Sequence, residues 1–168
     1  MFNKICVLGC GLIGSSLLRA IYKKKLAKDI SAFDKSKDVS LYLAKNFSFN
    51  VAKTINDAVK DSDLVIISSP LSSYKEILLS IKSSLKKNVI LTDTGSAKKE
   101  VNKIINNLNL DDVNWIASHP IAGTEFSGPE AGFAELFENR WCILSADKNV
   151  SSKEIQTLEK FWVELGSK

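Results

Sequence analysis

The chain has 168 residues, 45% of them hydrophobic and 25% charged, and its 23 Lys and Arg against 19 Asp and Glu give a formal charge of +4. That is an ordinary globular composition of about one domain, which excludes a disordered chain. No apolar run approaches the roughly 18 residues of a membrane span, the first residues lack the apolar core of a signal peptide, and no basic stripe interleaved with aromatics points to nucleic acid.

In chain order, short β-branched runs alternate with amphipathic stretches. Strands are predicted at Lys4–Leu8, Ile30–Phe33, Leu64–Ser68, Val89–Thr92, Trp115–Ser118 and Trp141–Leu144. Their nearly continuous apolar character suits strands covered on both faces. Helices are predicted at Ile13–Lys24, Val39–Asn46, Ile55–Lys60, Tyr74–Leu85, Lys98–Leu108 and Glu154–Leu165. Ser73 with Glu76 and Ser151 with Glu154 have capping-box spacing. The lysine groups at 23–25, 86–87 and 98–99 are expected at helix ends, against the negative pole of the dipole or facing water. This alternation predicts an α/β fold with a mainly parallel sheet. From His119 to Arg140 the rhythm breaks into a Gly- and Pro-containing excursion, read as a loop followed by a short helix and too long for a routine connection. Its Phe126, Phe133 and Phe137 argue for order. After Gly166, a plausible residue just past a helix end, a further strand would be expected, so the chain reads as stopping short.

Gly9-Cys10-Gly11-Leu12-Ile13-Gly14 follows the first strand and opens the first helix. In a dinucleotide fingerprint the first glycine permits the turn, the second lets backbone approach a pyrophosphate, and the third allows close helix–strand packing. The helix N-terminus then holds the anion. Asp34 stands about 20 residues beyond Gly14, where a carboxylate accepts hydrogen bonds from a ribose. It would repel a 2′-phosphate, so NAD is favoured over NADP, with neighbouring Lys35 and Lys37 moderating that preference. Ser68, Ser69 and Pro70 lie at the carboxyl end of a buried strand, where ligands of open α/β sheets bind. Ser69 is equally well read as a helix cap. Ser96 has the propensity of an N-cap, and it also ends a strand facing the crevice. His119, the sole histidine, follows a strand directly. Histidine titrates near neutral pH, which suits proton transfer, although a structural role remains open on position alone.

Cys6, Cys10 and Cys142 form no paired CxxC, and one histidine cannot complete a zinc site with them. No metal is expected, and reduced thiols in the cytoplasm are.

Together GCGLIGSS at 9–16, DTGSAK at 93–98, HPIAGTEFSG at 119–128 and the following AELF at 134–137 resemble the prephenate dehydrogenase family, which includes arogenate dehydrogenases. The second and third segments are much more specific than the glycine motif, and the likeness runs the whole chain, 1–168. The resemblance implies a Rossmann-type, doubly wound NAD-binding domain. It also implies oxidative decarboxylation of prephenate to 4-hydroxyphenylpyruvate in tyrosine biosynthesis, or of arogenate to tyrosine. By similarity His119 accepts the ring hydroxyl proton and Ser96 stands beside that hydroxyl and the nicotinamide. Gly123, Thr124 and Glu125 face the substrate, with Glu125 at its entrance, and Asp34 binds ribose. The cofactor contacts implied are Gly9, Cys10, Gly11, Leu12, Ile13, Gly14, Asp34, Lys35, Ser68, Ser69 and Pro70.

Family members continue into a helical C-terminal domain that forms a homodimer and supplies an arginine for a substrate carboxylate. Neither Arg19 nor Arg140 is assigned that role. The domain is expected to be missing here, leaving a monomer with little turnover. A β-hydroxyacid dehydrogenase would keep the glycine motif but would not explain HPIAGTE. A non-catalytic NAD-binding module is the alternative from another class.

Overall fold

The computed structural model describes residues 2–108, 110 and 112–168. Seven strands form one sheet in the order β3-β2-β1-β4-β5-β6-β7. They are β1 (Phe2–Leu8), β2 (Ala27–Phe33), β3 (Asn50–Val51), β4 (Leu64–Ile67), β5 (Val89–Asp93), β6 (Val113–Pro120) and β7 (Cys142–Ala146). All neighbours pair in parallel except β6 and β7, which run antiparallel. This is the mainly parallel sheet that the alternation predicts, doubly wound as the resemblance implies. The helices are α1 (Leu12–Lys24), α2 (Lys37–Asn46), α3 (Ile55–Val59), α4 (Tyr74–Ile81), α5 (Lys98–Asn107) and α6 (Ser152–Glu164).

Strand alternation sorts the core onto two faces. Ile5 and Val7 of β1, Leu64 and Ile66 of β4 and Ile116 of β6 pack with Leu17 and Ile21 of α1 and with Phe161 and Trp162 of α6. Cys6 and Leu8, Val65 and Ile67, and Trp115 and Ala117 turn the other way, toward Tyr74 and Leu78 of α4 and Val101 of α5. Both faces are covered, which is why the strand sequences run apolar without alternating. The chain order reverses between β1 and β4, so a crevice opens outside their carboxyl ends. Among the described residues no helix is long and apolar enough to cross a membrane.

Four local expectations are corrected. The 119–140 excursion contains turns and no helix; Phe137 and Leu136 are nevertheless buried, and their contact with the sheet orders it. Ser73 caps nothing, because a 3-10 turn over Leu71–Ser73 runs into α4 and leaves Ser73 in helical geometry. Ser151 bonds the Glu154 carboxylate rather than a backbone N–H. Lys98 lies at the start of α5, the positive end of its dipole, and is held there by Asp93, whereas Lys99 beside it faces water as expected. The short strand β3 carried too few residues to be read from its pattern.

At the opposite end of the sheet Asp63 accepts from Lys86 Nζ at 2.5 Å and from the Asn3 N–H at 2.8 Å. Burial alone would raise its pKa, but these donors outweigh burial and hold the carboxyl below its ordinary range. A depressed carboxyl contributes stability above its unfolded pKa and loses it as pH falls through the folded one. Asp63→Asn is therefore expected to cost about 1 kcal/mol at pH 7. In urea titrations the gap to the parent should narrow as pH falls below the ordinary aspartate value of about 3.9.

Candidate active site

A cavity of about 840 Å³ lies outside the carboxyl ends of the parallel strands. Five strand ends contribute to it: Gly9, Gly11, Leu12 and Ile13 after β1, Asp34 and Lys35 after β2, Ser68, Ser69 and Pro70 after β4, Ser96 after β5, and His119 as the penultimate residue of β6.

The glycines divide their work by position. Gly9 has φ +86°, and a Cβ there would meet the Ser68 carbonyl oxygen at 2.8 Å, so the turn and the close approach of β1 to β4 both require it. At Gly14 a Cβ would collide with the Gly9 carbonyl oxygen, because α1 leaves the turn in contact with it. A Cβ on Gly11 would meet nothing within 4 Å, so the space above it is open to a ligand. Gly11 is the N-cap of α1 and no side chain caps the helix. Its first N–H groups and the positive dipole end thus face the cavity, an arrangement suited to a phosphate.

Asp34 is fixed just past β2. Its Oδ2 accepts from the Cys10 N–H at 2.7 Å and its Oδ1 from the Ser36 N–H at 2.8 Å. Each oxygen has acceptor capacity left for a sugar hydroxyl. Cys10 itself is buried, its thiol directed at the Phe33 carbonyl. Burial, with the Asp34 charge adding, pushes that thiol far above its ordinary pKa, so it is inert. Gly14 is likewise buried outside the cavity lining.

At the other end, Ser96 is exposed beside α5, whose N-cap position falls on Ala97, and it makes no cap hydrogen bond. His119 is half-buried and pairs across to Ile143 of β7. Gly123 shares a shallower recess with His119 and Arg140. Thr124 and Glu125 are exposed on the loop outside the main cavity, and the Thr124 hydroxyl accepts from the Phe126 N–H at 3.2 Å. The loop returns to the body at Pro129, whose carbonyl accepts from Arg19 Nη2 at 2.9 Å, while the Phe133 N–H donates to Ser16 Oγ at 3.0 Å. Arg19 also lies 4.7 Å over the Phe47 ring. It is a structural tie, engaged away from the cavity.

Two groups of residues at the site escaped the sequence reading. Val39, Ile55 and Ile77 line the cavity; they looked like ordinary helix positions, and only the packing of three helices brings them to one cavity. Asp93 and Lys98 are the second group. Asp93 is fully buried at the end of β5, with Lys98 Nζ at 2.6 Å. Burial pulls the Lys98 pKa down and the Asp93 charge opposes it. A lysine in the first turn of a helix defies the dipole preference, and both residues lie in the DTGSAK segment at 93–98; those were the signals available. Among the described residues there is no cluster of acidic, histidine or cysteine side chains that could hold a metal.

Fold and crevice define a nucleotide-binding domain of the doubly wound class. A family model described as the nucleotide-binding domain of prephenate dehydrogenase matches residues 17–168, and the chain belongs to that family. It is 38% identical over its whole length to a cyclohexadienyl dehydrogenase of Zymomonas mobilis, covering 57% of that protein. It is 31% identical over 94% of its length to a prephenate dehydrogenase of Lactococcus lactis, covering 44% of it. The chain therefore spans about half the length of these relatives. In fold it matches the prephenate dehydrogenase of A. aeolicus solved with hydroxyphenyl propionate and NAD+, with a TM-score of 0.82 and 22% identity, over 100% of this chain and 59% of that one.

The Gly14 contact yields a direct test. Because the obstructing atom is backbone, Gly14→Ala is expected to lower stability by about 2 kcal/mol, read as a fall in the urea midpoint with unchanged slope.

Proposed function

We propose that this chain is the NAD-binding domain of a dehydrogenase that oxidatively decarboxylates prephenate to 4-hydroxyphenylpyruvate, in tyrosine biosynthesis. The observation that carries the reading is that Ser96 and His119, at the ends of adjacent strands, share one cavity with the glycine turn and Asp34. The residues present fit the cofactor. The uncapped start of α1 and the open space at Gly11 suit the pyrophosphate, Asp34 suits a ribose, and Val39, Ile55 and Ile77 offer apolar walls to the adenine. A free 2′-hydroxyl is a donor to Asp34, whereas a 2′-phosphate would meet its charge. Ser68, Ser69 and Pro70 continue the same wall between Asp34 and Ser96.

NAD, when bound, supplies the acceptor for the hydride that leaves the hydroxyl-bearing ring carbon. His119 takes the hydroxyl proton as that carbon is oxidised. Ser96 donates to or accepts from the same hydroxyl and holds its orientation. The ring carboxylate departs as carbon dioxide, its bonding pair completing the aromatic ring, and aromatisation drives the step. Gly123, Thr124 and Glu125 belong to the substrate side of this site, on the exposed loop beyond His119.

Prephenate carries two carboxylates. Among the described residues lining the cavity, Lys35 is the one ammonium, and it stands four strands from His119, about 19 Å on the usual strand spacing. The cation beside His119 is Arg140, in the recess outside the main cavity; it leaves at least one of the two carboxylates without a partner, so the 168 residues alone are expected to turn over slowly or not at all.

Calorimetric titration of this chain should show NAD binding that Asp34→Ala weakens about tenfold or more, with NADP losing less. In the full-length protein that contains this domain, His119→Asn should lower kcat by about 10²–10⁴-fold while NAD affinity stays within about twofold. Absence of NAD binding, or NADH formation indifferent to His119, sinks the reading. A preference for arogenate would keep the chemistry and change the substrate.

A further inference from the structure

Pairing between β5 and β6 runs from Val89↔Val113 to Leu91↔Trp115 and stops there. Beyond that point β6 continues to Pro120 beside β7 alone. Ser118, immediately before His119, therefore has two backbone polar groups facing a gap where a strand partner would otherwise stand. Both are satisfied by side chains from the β5–α5 corner. The Ser118 N–H donates to Asp93 Oδ1 at 3.2 Å, and the Ser118 carbonyl accepts from Lys98 Nζ. Lys98 in turn donates to Asp93 Oδ1 at 2.6 Å. The second Asp93 oxygen accepts from the Gly95 N–H at 3.1 Å and from the Tyr74 hydroxyl at 3.2 Å. One carboxylate thus grips the residue before His119 with one oxygen and the residue before Ser96 with the other.

The Ser118 side chain completes the restraint on the opposite face. Its Oγ lies 2.6 Å from Thr92 Oγ1 and accepts from Trp162 Nε1 at 3.1 Å. The strand cannot rotate without breaking contacts on both sides of the sheet. Nothing in the core demands a charge here: a continued ladder would satisfy Ser118 without an ion pair. The departure from that simpler solution is located between the two side chains that share the crevice.

We propose that Asp93 and Lys98 are positioning residues that hold the split between β5 and β6 open and set His119 relative to Ser96. The proposal rests on the reading of His119 as proton acceptor and Ser96 as its neighbour, but the clamp can be measured without any reaction. Lys98 has no direct contact with His119 and acts through the Ser118 carbonyl. Its contribution is geometric, so the guanidinium of arginine, which can also donate to both oxygens, should substitute in part.

The experiment compares amide hydrogen exchange and the single histidine ring resonance in this chain with those of Lys98→Met, Lys98→Arg and the charge-neutral double variant Asp93→Asn with Lys98→Met. The double variant leaves no buried unpaired charge, so it keeps the comparison available if Lys98→Met does not fold. In the double variant, exchange of the Ser118 and Gly95 amides should rise about tenfold or more while amides of Ile5 and Ile66 keep their protection, and the His119 resonance should shift or broaden. Lys98→Arg should recover most of the parent pattern. In the full-length protein the double variant should lower kcat about tenfold or more with NAD affinity within about twofold, the mark of lost orientation rather than lost binding. A uniform rise in exchange across the core would show a purely structural pair and overturn the proposal. So would unchanged Ser118 exchange with an unmoved His119 resonance. Altered local exchange and resonance in a protein that never oxidises prephenate would keep the clamp and refute only the assigned reaction.

Discussion

The buried carboxylate of Asp93 is the constraint around which the substrate end of this molecule is organised. A fully buried charge is tolerated only when donors surround it, and here they come from α4, α5, the turn after β5 and the strand β6. Each of these elements is thereby tied to a common point. Removing one partner of such a group leaves the other uncompensated, which commonly costs several kcal/mol. The arrangement is correspondingly rigid, and rigidity is what two side chains on different strands need if they are to meet one substrate atom.

The cofactor end is organised by a different physics, the exclusion of side-chain volume. Gly9 and Gly14 allow β1, β4 and α1 to approach until backbone meets backbone. The N-terminus of α1 is then left at the crevice with its donors uncapped. Asp34 closes the same end by binding the Cys10 and Ser36 amides. It both orders the turn and presents acceptors to a ligand. The two ends meet along one row of strand termini, so a long ligand laid across the sheet would touch both.

Much of this was legible in the linear chain. Five of the strands follow from short apolar runs, because burial on both faces leaves no room for polar residues at alternate positions; β7 also reads as an apolar run, but it is an antiparallel edge strand whose alternate residues, Ile143 among them, are exposed. The glycine turn and Asp34 are recognisable because their spacing encodes a strand, a turn and a helix in succession. The local cap readings failed where a preceding turn or a neighbouring carboxylate offered the serines another partner, as at Ser73 and Ser151. The helix expected in the 119–140 excursion failed because Leu136 and Phe137 are drawn into the core by contacts remote in sequence, without a helical repeat to deliver them.

The sequence by itself determined the class of the fold, the crevice and the chemical types at its rim, since periodicity and short motifs act over neighbours along the chain. Tertiary structure alone decided that Asp93 and Lys98 stand between Ser96 and His119, that Glu125 lies on the exposed loop outside the cavity, and that Arg19 is bound to the loop rather than to the site. Those outcomes depend on which strands lie side by side and where their pairing ends. Strand order is set by the global packing of two helix layers on one sheet, and no local stretch of residues carries it.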